Sequence, residues 1–197
     1  MSASLKPPEI PASMTVQEFL EWCPGDGQRW ELVDGVPRAT APAKLRHAAL
    51  QGEVARLIGN HLAGQGSPCM LFIAPGVVPR VQAAANVRLP DIAITSAPFD
   101  GADGHLEDPV LVIELLSPSN QAETWANVWA YATIPSLREI PVLRTVTMRA
   151  DLLRRGEDGH WPASPKVVTE GDLALAGIGF RAPPATLYRT ARLPPAA

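Results

Sequence analysis

The sequence predicts an α/β (α+β) fold in which a mixed β-sheet is flanked by helices. Two patterns support this prediction. Residues 47–62 carry an amphipathic helical stripe, and residues 110–116 are, apart from one glutamate, apolar on both alternating faces, as in a strand covered on both sides. The chain has 197 residues, 46% hydrophobic and 19% charged, which is the balance of one globular domain. We expect that domain at 14–189 and flexible tails at 1–13 and 190–197.

Local signals define the elements in the first part of the chain. Thr15 and Glu18 have the spacing of a capping box, which begins a short helix. Residues 29–39 predict a β-hairpin that turns at Asp34-Gly35. The amphipathic helix at 47–62 follows the hairpin.

Strands separated by one helix are predicted in the second part of the chain. The helix runs from about residue 120 to 132, and Asn120 and Glu123 have the spacing of a second capping box. The strands are expected at 70–73 (short and buried), at 90–94, at 110–116 (central) and at 139–143, with an antiparallel ribbon over 146–159.

Charge and cysteine content exclude several classes of protein. The net charge of −3 gives no global positive field, so a polyanion would have to be contacted through a local patch or a metal ion. Cys23 and Cys69 have neither zinc-site spacing nor the number that a secreted disulfide scaffold needs. No apolar segment indicates a signal peptide or a membrane span, so we expect a cytoplasmic protein without a membrane partner.

Glu114 is the most informative residue, because it stands within the apolar run at 110–116. Burying an unpaired carboxylate is costly, so a cation, a metal ion or a proton must compensate its charge. Asp91 opens the preceding strand. Two acids on neighbouring strands can hold a hard divalent cation, and the backbone carbonyl of Leu115 can add one more oxygen ligand.

Both acids also have ordinary structural explanations. Glu114 can be neutralised by a salt bridge to an arginine, and Pro90-Asp91 can be a simple turn. In that case we expect an arginine in the space between the two carboxylates.

Several segments resemble the Uma-two family of restriction-endonuclease-like proteins, in the PD-(D/E)xK nuclease superfamily. Within about 14–160, the segments that carry the resemblance are Trp30–Gly35, Arg46-His47, Leu89–Asp91, Val112–Ser119, Tyr131 and Ile134–Glu139. The resemblance implies a restriction-endonuclease-like fold with a four-stranded mixed core sheet, and Mg²⁺, or Mn²⁺, on Asp91 and Glu114. Such sites hydrolyse DNA phosphodiester bonds, so it also implies a metal-dependent endodeoxyribonuclease with DNA as its partner. A homodimer is expected by analogy with nucleases that cut duplexes.

The resemblance also assigns roles around the two acids. It places Glu31 near the metal and His47 at the start of the core helix, facing the same cleft. The alternatives are a solvent-facing hairpin residue for Glu31 and a satisfied core histidine for His47. Glu123 is expected to cap its helix rather than to contact the metal.

The sequence departs from the family at the lysine of the site. Leu116 stands two residues after the acid, and Asn127 stands on the following helix where this family carries its lysine. An amide can hydrogen-bond a water molecule but cannot take its proton. Two functions therefore stay open: a weak DNA endonuclease, and a catalytically inactive nuclease-fold module that binds DNA or a protein.

Other cations could contribute to such a site. Lys44 precedes the core helix and could reach the cleft. The ribbon carries a positive bias that is either a solvated edge or a phosphate-binding patch. Its arginines are Arg144, Arg149, Arg154 and Arg155.

Overall fold

The computed structural model describes residues 9–22, 24–101 and 104–193, so Cys23 and the tail predictions for 1–8 and 194–197 lie outside the described residues. The helices are α1 (Val16–Glu21), α2 (Leu45–Gly64), α3 (Gln121–Tyr131) and α4 (Pro184–Leu187). The strands are β1 (Trp30–Val33), β2 (Val36–Ala39), β3 (Met70–Ile73), β4 (Ile92–Thr95), β5 (Leu111–Leu116), β6 (Glu139–Arg144), β7 (Ala150–Arg154), β8 (Lys166–Val168), β9 (Leu173–Leu175) and β10 (Phe180–Ala182).

A mixed sheet in the order β3-β4-β5-β6-β7-β8 is the centre of the described structure. β5 and β6 run parallel, and the other neighbours in this sheet run antiparallel. Two parallel strands need a long crossover, which α3 provides. The predicted mixed sheet flanked by helices is confirmed, with six strands where the resemblance implies a core of four.

The central strand β5 divides the core into two layers, because its side chains alternate between the faces of the sheet. Leu111, Ile113 and Leu115 pack in the cluster that contains the buried stripe of α2. Val112 and Leu116 pack in the cluster that contains the buried side chains of α3. The alternation places Glu114 on the α3 face, in the row of Val112 and Leu116.

The hairpin of β1 and β2 docks on the chain segment that precedes β4. Asp34 and Gly35 form its turn with φ values of 52° and 81°, as the predicted tight turn requires. Leu32 and Val87 exchange two backbone hydrogen bonds of 2.9 Å. This pairing brings Glu31 close to the residues before Asp91. The predicted capping box of Thr15 and Glu18 is also present.

Two local predictions are wrong. Residues 70–73 form β3 at the edge of the sheet, where the strand is only half-buried, because one of its edges has no neighbouring strand among the described residues. Asn120 precedes α3, but its side chain accepts hydrogen bonds from Ser117 and caps no helical N–H group. Glu123 is exposed and completes no capping box.

The arginines predicted on the ribbon are used inside the protein, which argues against the phosphate-patch alternative. Arg144 and Arg149 both pair with the fully buried carboxylate of Asp151, at 3.0 and 2.7 Å. Arg154 pairs with the buried carboxylate of Glu139 at 2.6 Å. Arg155 donates to the backbone carbonyls of residues 132, 134 and 135.

The last described residues pack on α2. Thr190 donates from its hydroxyl to the carbonyl of Ala49, and Ala191 is buried in the α2 layer of the core. The domain limits of 14–189 stay a prediction. No helix in the described ranges is long and apolar enough to cross a bilayer.

Replacing Asp151 by alanine tests the pairing that holds the turn between β6 and β7. The arginines Arg144 and Arg149 would then lie close together without a counter-charge, although both still reach water. We expect the free energy of unfolding to fall by about 2–3 kcal/mol, measured by urea denaturation. The control is Asp172→Ala, on an exposed carboxylate, with an expected change below about 0.5 kcal/mol. Equal losses in both variants would contradict this role.

Candidate active site

The register of β4 and β5 brings the two predicted acids together. Ile92 lies opposite Ile113 in this antiparallel pair, so the next position along the register sets Asp91 opposite Glu114. Directly opposed residues point to the same face, with Cβ atoms about 5 Å apart. Asp91 and Glu114 therefore share the α3 face at one end of the sheet.

The carboxylate of Asp91 is held on both oxygens. Its Oδ2 accepts from the backbone N–H of Leu115 at 2.7 Å, and its Oδ1 lies 2.7 Å from Nε2 of His47. Gln51, one turn further along α2, donates to the backbone carbonyl of Asp91 at 2.7 Å. His47 thus lies on the cleft at the start of α2, where it is partly buried and hydrogen-bonded to a cleft carboxylate.

Glu114 has no such support. Its side chain is 6% exposed, and its Oε1 atom is buried without a hydrogen-bond partner. Burial, followed by the negative charge of Asp91, raises the pKa of Glu114 well above its ordinary value. The buried hydroxyl of Tyr131 interacts with Glu114 and offsets part of this rise, although neither the hydroxyl nor Oε1 has a hydrogen-bond partner of good geometry. Burial, followed by the charge of Glu114, raises the pKa of Tyr131. Unsatisfied buried polar atoms are rare in native proteins and often mark a functional site.

Glu31 enters the same site from β1. It is 4% exposed, and its Oε1 accepts from the backbone N–H of Leu89 at 2.8 Å. The pKa of Glu31 is raised above its ordinary value, chiefly by burial. The hydrogen bond from Leu89 and the charge of Arg88 offset part of this rise, and the charges of nearby carboxylates add to it. The solvent-facing alternative for Glu31 is therefore wrong.

Asn127 lies on the cleft and is bonded to a residue that the sequence analysis missed. Its Oδ1 accepts from Nη1 of Arg88 at 3.2 Å, and Nη2 of Arg88 donates to Asn86 at 2.9 Å. Arg88 is buried, and its Nε has no partner. A signal existed, because Arg88 stands between Val87 and Leu89 as Glu114 stands within its apolar run.

These residues surround a cleft of about 740 Å³ between the hairpin, the start of α2 and the start of α3. Glu31, Asp91 and Glu114 lie on its acidic floor. Lys44 lines the cleft, as do His47 and Asn127. Among the described residues, no arginine forms an ion pair with Asp91 or Glu114. The alternative in which an arginine neutralises Glu114 is therefore wrong.

The chemistry of the floor fits a hard divalent cation. The carboxylates of Asp91 and Glu114 repel each other, and Oε1 of Glu114 has no hydrogen-bond partner, although the Tyr131 hydroxyl offsets part of the rise in the pKa of Glu114. In the described part of the chain, no three His, Cys, Asp or Glu side chains are arranged to hold a metal ion. A Mg²⁺ ion needs only one or two carboxylates, since water and substrate phosphates complete its shell. The Leu115 carbonyl stays a predicted additional ligand.

The fold is nuclease-like. The structure is similar to the crystal structure described as "a putative nuclease belonging to DUF820" from Anabaena variabilis, with a TM-score of 0.72 over 90% of this chain and 99% of that chain, at 16% identity. A family model described as "Uma2: Putative restriction endonuclease" matches residues 16–182. The chain belongs to this family. It is also 26% identical over 150 residues to the uncharacterized protein slr1290 of Synechocystis sp., covering 75% of this chain and 77% of that protein.

Replacing Glu114 by glutamine tests whether the site is strained by its own charge. Because the pKa of Glu114 is raised in the folded state, its charge costs stability as the pH rises above the ordinary glutamate value. Glutamine resembles the protonated form. We expect the variant to melt at a higher temperature than the native protein at about pH 8, with the difference vanishing near pH 4.

Glu157→Gln, on an exposed side chain, is the matched control and should not change this pH dependence. A Glu114→Gln variant that melts at a lower temperature than the native protein at every pH would show that the carboxylate has a stabilising partner instead.

Proposed function

We propose that the protein is an endonuclease that hydrolyses DNA phosphodiester bonds with a divalent cation, Mg²⁺ or Mn²⁺. The observation that carries this proposal is the pair of cross-strand carboxylates, Asp91 and Glu114, at the floor of the cleft. Family membership supports a nucleic acid as the substrate class. A cytoplasmic location and a homodimer stay predictions from the sequence.

Asp91 and Glu114 would hold the cation through carboxylate oxygens, with the carbonyl of Leu115 as a further ligand. When bound there, a divalent cation polarises a phosphate oxygen and lowers the pKa of water. His47 and the N–H of Leu115 fix the Asp91 carboxylate, so its orientation is set before any ligand arrives. Such prior orientation reduces the entropy that binding costs.

Asn127 orients the reacting groups and Glu31 takes the proton. The Asn127 oxygen is engaged by Arg88, so its amino group is the part that can donate to a phosphate oxygen or to water. Glu31 is anchored through Oε1, which leaves Oε2 for proton transfer. The attacking water gives a proton to Glu31 while its oxygen bonds to phosphorus. The phosphorus–leaving-oxygen bond breaks, and the leaving oxygen takes a proton from solvent.

A second function is favoured by the Arg88–Asn127 bond. The guanidinium group of Arg88 is hydrogen-bonded to the side chain of Asn127, so this chain has a fixed cation beside that position that cannot accept a proton. A catalytically inactive module that binds DNA or a protein would keep this arrangement. The two functions differ in whether the native protein cuts DNA.

Cleavage of plasmid and single-stranded DNA with Mg²⁺ or Mn²⁺ distinguishes these functions. We expect slow cleavage by the native protein and none by Glu114→Ala. For Glu31→Gln, which keeps an oxygen for the Leu89 bond, we expect a loss of about a hundredfold or more, because the proton acceptor is gone. The control, Asp172→Ala, should cut at the native rate.

An additional variant tests the inactive alternative directly. Asn127→Lys is made together with Arg88→Gln, because a lysine beside Arg88 would meet a like charge. If this variant cuts and the native protein does not, the protein is an inactive binding module. If none of the proteins cuts and Mg²⁺ does not raise the melting temperature of the native protein or of Asp172→Ala, the metal-dependent endonuclease is wrong.

A further inference from the structure

The cleft has one cationic wall. Arg29, Lys44 and Arg46 line the side formed by the hairpin and the start of α2, while carboxylates form the floor. We propose that this basic wall (Arg29, Lys44 and Arg46) is a track for the phosphate backbone of a nucleic-acid strand. The proposal rests on the proposed function. It adds that the basic wall is the surface that holds the strand, and that the strand lies on that side of the cleft.

The three cations have no acidic partner among the described residues, unlike the ribbon arginines. No hydrogen bond involves the side chains of Arg29 or Lys44 in the described ranges. Arg46 donates from Nε to the carbonyl of Arg192 at 3.2 Å, which holds the guanidinium group and leaves its terminal nitrogens for a ligand. Exposed cations elsewhere also lack a carboxylate, but these three are grouped on one cleft, where they form a local positive patch that can attract an anion.

The backbone that carries the basic wall is held by hydrogen bonds, and the side chains next to it are small. The carbonyl of Arg29 accepts from both the N–H and the hydroxyl of Thr40, at 2.8 and 3.2 Å, which ties the two arms of the hairpin together. Between β2 and Lys44, residues 40–43 carry only small side chains and proline. Nothing bulky there separates the three cations from the cleft. The N-terminus of α2 adds the positive end of a helix dipole.

The opposite wall has different chemistry. It is lined by the hydroxyl side chains of Ser117, Ser119 and Thr145 and by the carboxylate of Glu123, with no lysine or arginine. Phosphates are repelled by Glu123 and attracted to the basic wall. A strand would therefore lie with its backbone against the basic wall and its bases toward the opposite wall. There Ser117 donates its hydroxyl to Asn120 and the buried Thr145 donates to the carbonyl of Leu116, so the oxygens of Ser117 and Ser119 are what can accept from base edges.

The cations come from two separate chain segments, and the floor between them and the far wall is acidic. A mononucleotide could meet only part of the wall, whereas an extended polyanion can meet all three cations together. Phosphate contacts of this kind position a strand without reading its sequence. The inferred ligand is the backbone of DNA or RNA, and the arms of the experiment separate these two.

The test measures binding without cleavage, by fluorescence anisotropy of labelled oligonucleotides in Ca²⁺ or EDTA at several salt concentrations. The wall variant is Arg29→Gln/Lys44→Gln/Arg46→Gln. The matched control, Arg138→Gln/Lys166→Gln/Arg181→Gln, removes the same charge from exposed side chains that do not line the cleft. Single-stranded DNA, single-stranded RNA and a duplex are compared.

We expect the native and control proteins to bind alike and the wall variant to bind at least tenfold more weakly. The slope of log affinity against log salt should fall in magnitude by about 2 for a single strand, since each lost phosphate contact contributes about 0.7. The double variant Arg29→Gln/Lys44→Gln leaves the Arg46–Arg192 bond intact, and its slope should fall by about 1.4. Equal affinity for DNA and RNA supports backbone recognition.

Equal weakening in the wall and control variants would overturn the inference, as would native affinity in the wall variant. Cleavage by the native protein tests the proposed function independently of strand binding. If the native protein does not cut DNA, and only the wall variant loses binding, the phosphate track is supported and the endonuclease proposal is wrong. If the native protein cuts DNA while the wall variant binds and cuts normally, the track is wrong and the endonuclease stands.

Discussion

The antiparallel register between β4 and β5 is the constraint on which the site depends. It sets Asp91 opposite Glu114, and a slip of one residue would turn one of these carboxylates to the other face of the sheet. The apolar residues of both strands make such a slip costly, because it would also carry their buried side chains to the wrong layer. Leu115, His47 and Gln51 then fix Asp91 around this register.

Buried carboxylates in this protein have two different kinds of environment. Away from the cleft, the buried carboxylates of Glu53, Glu139 and Asp151 are each paired with arginine. On the cleft floor, Glu114 has no arginine and keeps an unsatisfied oxygen. Buried carboxylates away from the cleft are therefore neutralised by arginine, whereas the charge of Glu114 is left without a cation. Stability is commonly lower at functional sites for this reason.

The sequence predicts the elements whose signals are local. The run containing Glu114 is the central strand, and the capping box of Thr15 and the Asp34-Gly35 turn are present. It does not predict features that depend on distant neighbours. The apolar residues 70–73 look buried, yet only the strand order shows that they form an edge.

The same limit applies to the site. Asp91 and Glu114 could be predicted because a motif carries them. The bond between Arg88 and Asn127 joins residues 39 apart in the chain, and the pairing of Arg144 with Asp151 depends on how the turn between β6 and β7 folds back. Neither is marked by a periodic pattern. Spacing alone suggested that Glu123 caps α3, but Asn120 is already engaged by Ser117.

The loop between β4 and β5 divides the cleft between two parts of the chain. Glu31, His47 and Asp91 come before it, and Glu114 and Asn127 come after it. Neither part carries both Asp91 and Glu114, so this pair of carboxylates exists only after the two parts have joined through β4 and β5. A proteolytic nick in that loop would leave every side chain intact, yet separation of the fragments would dismantle the centre completely.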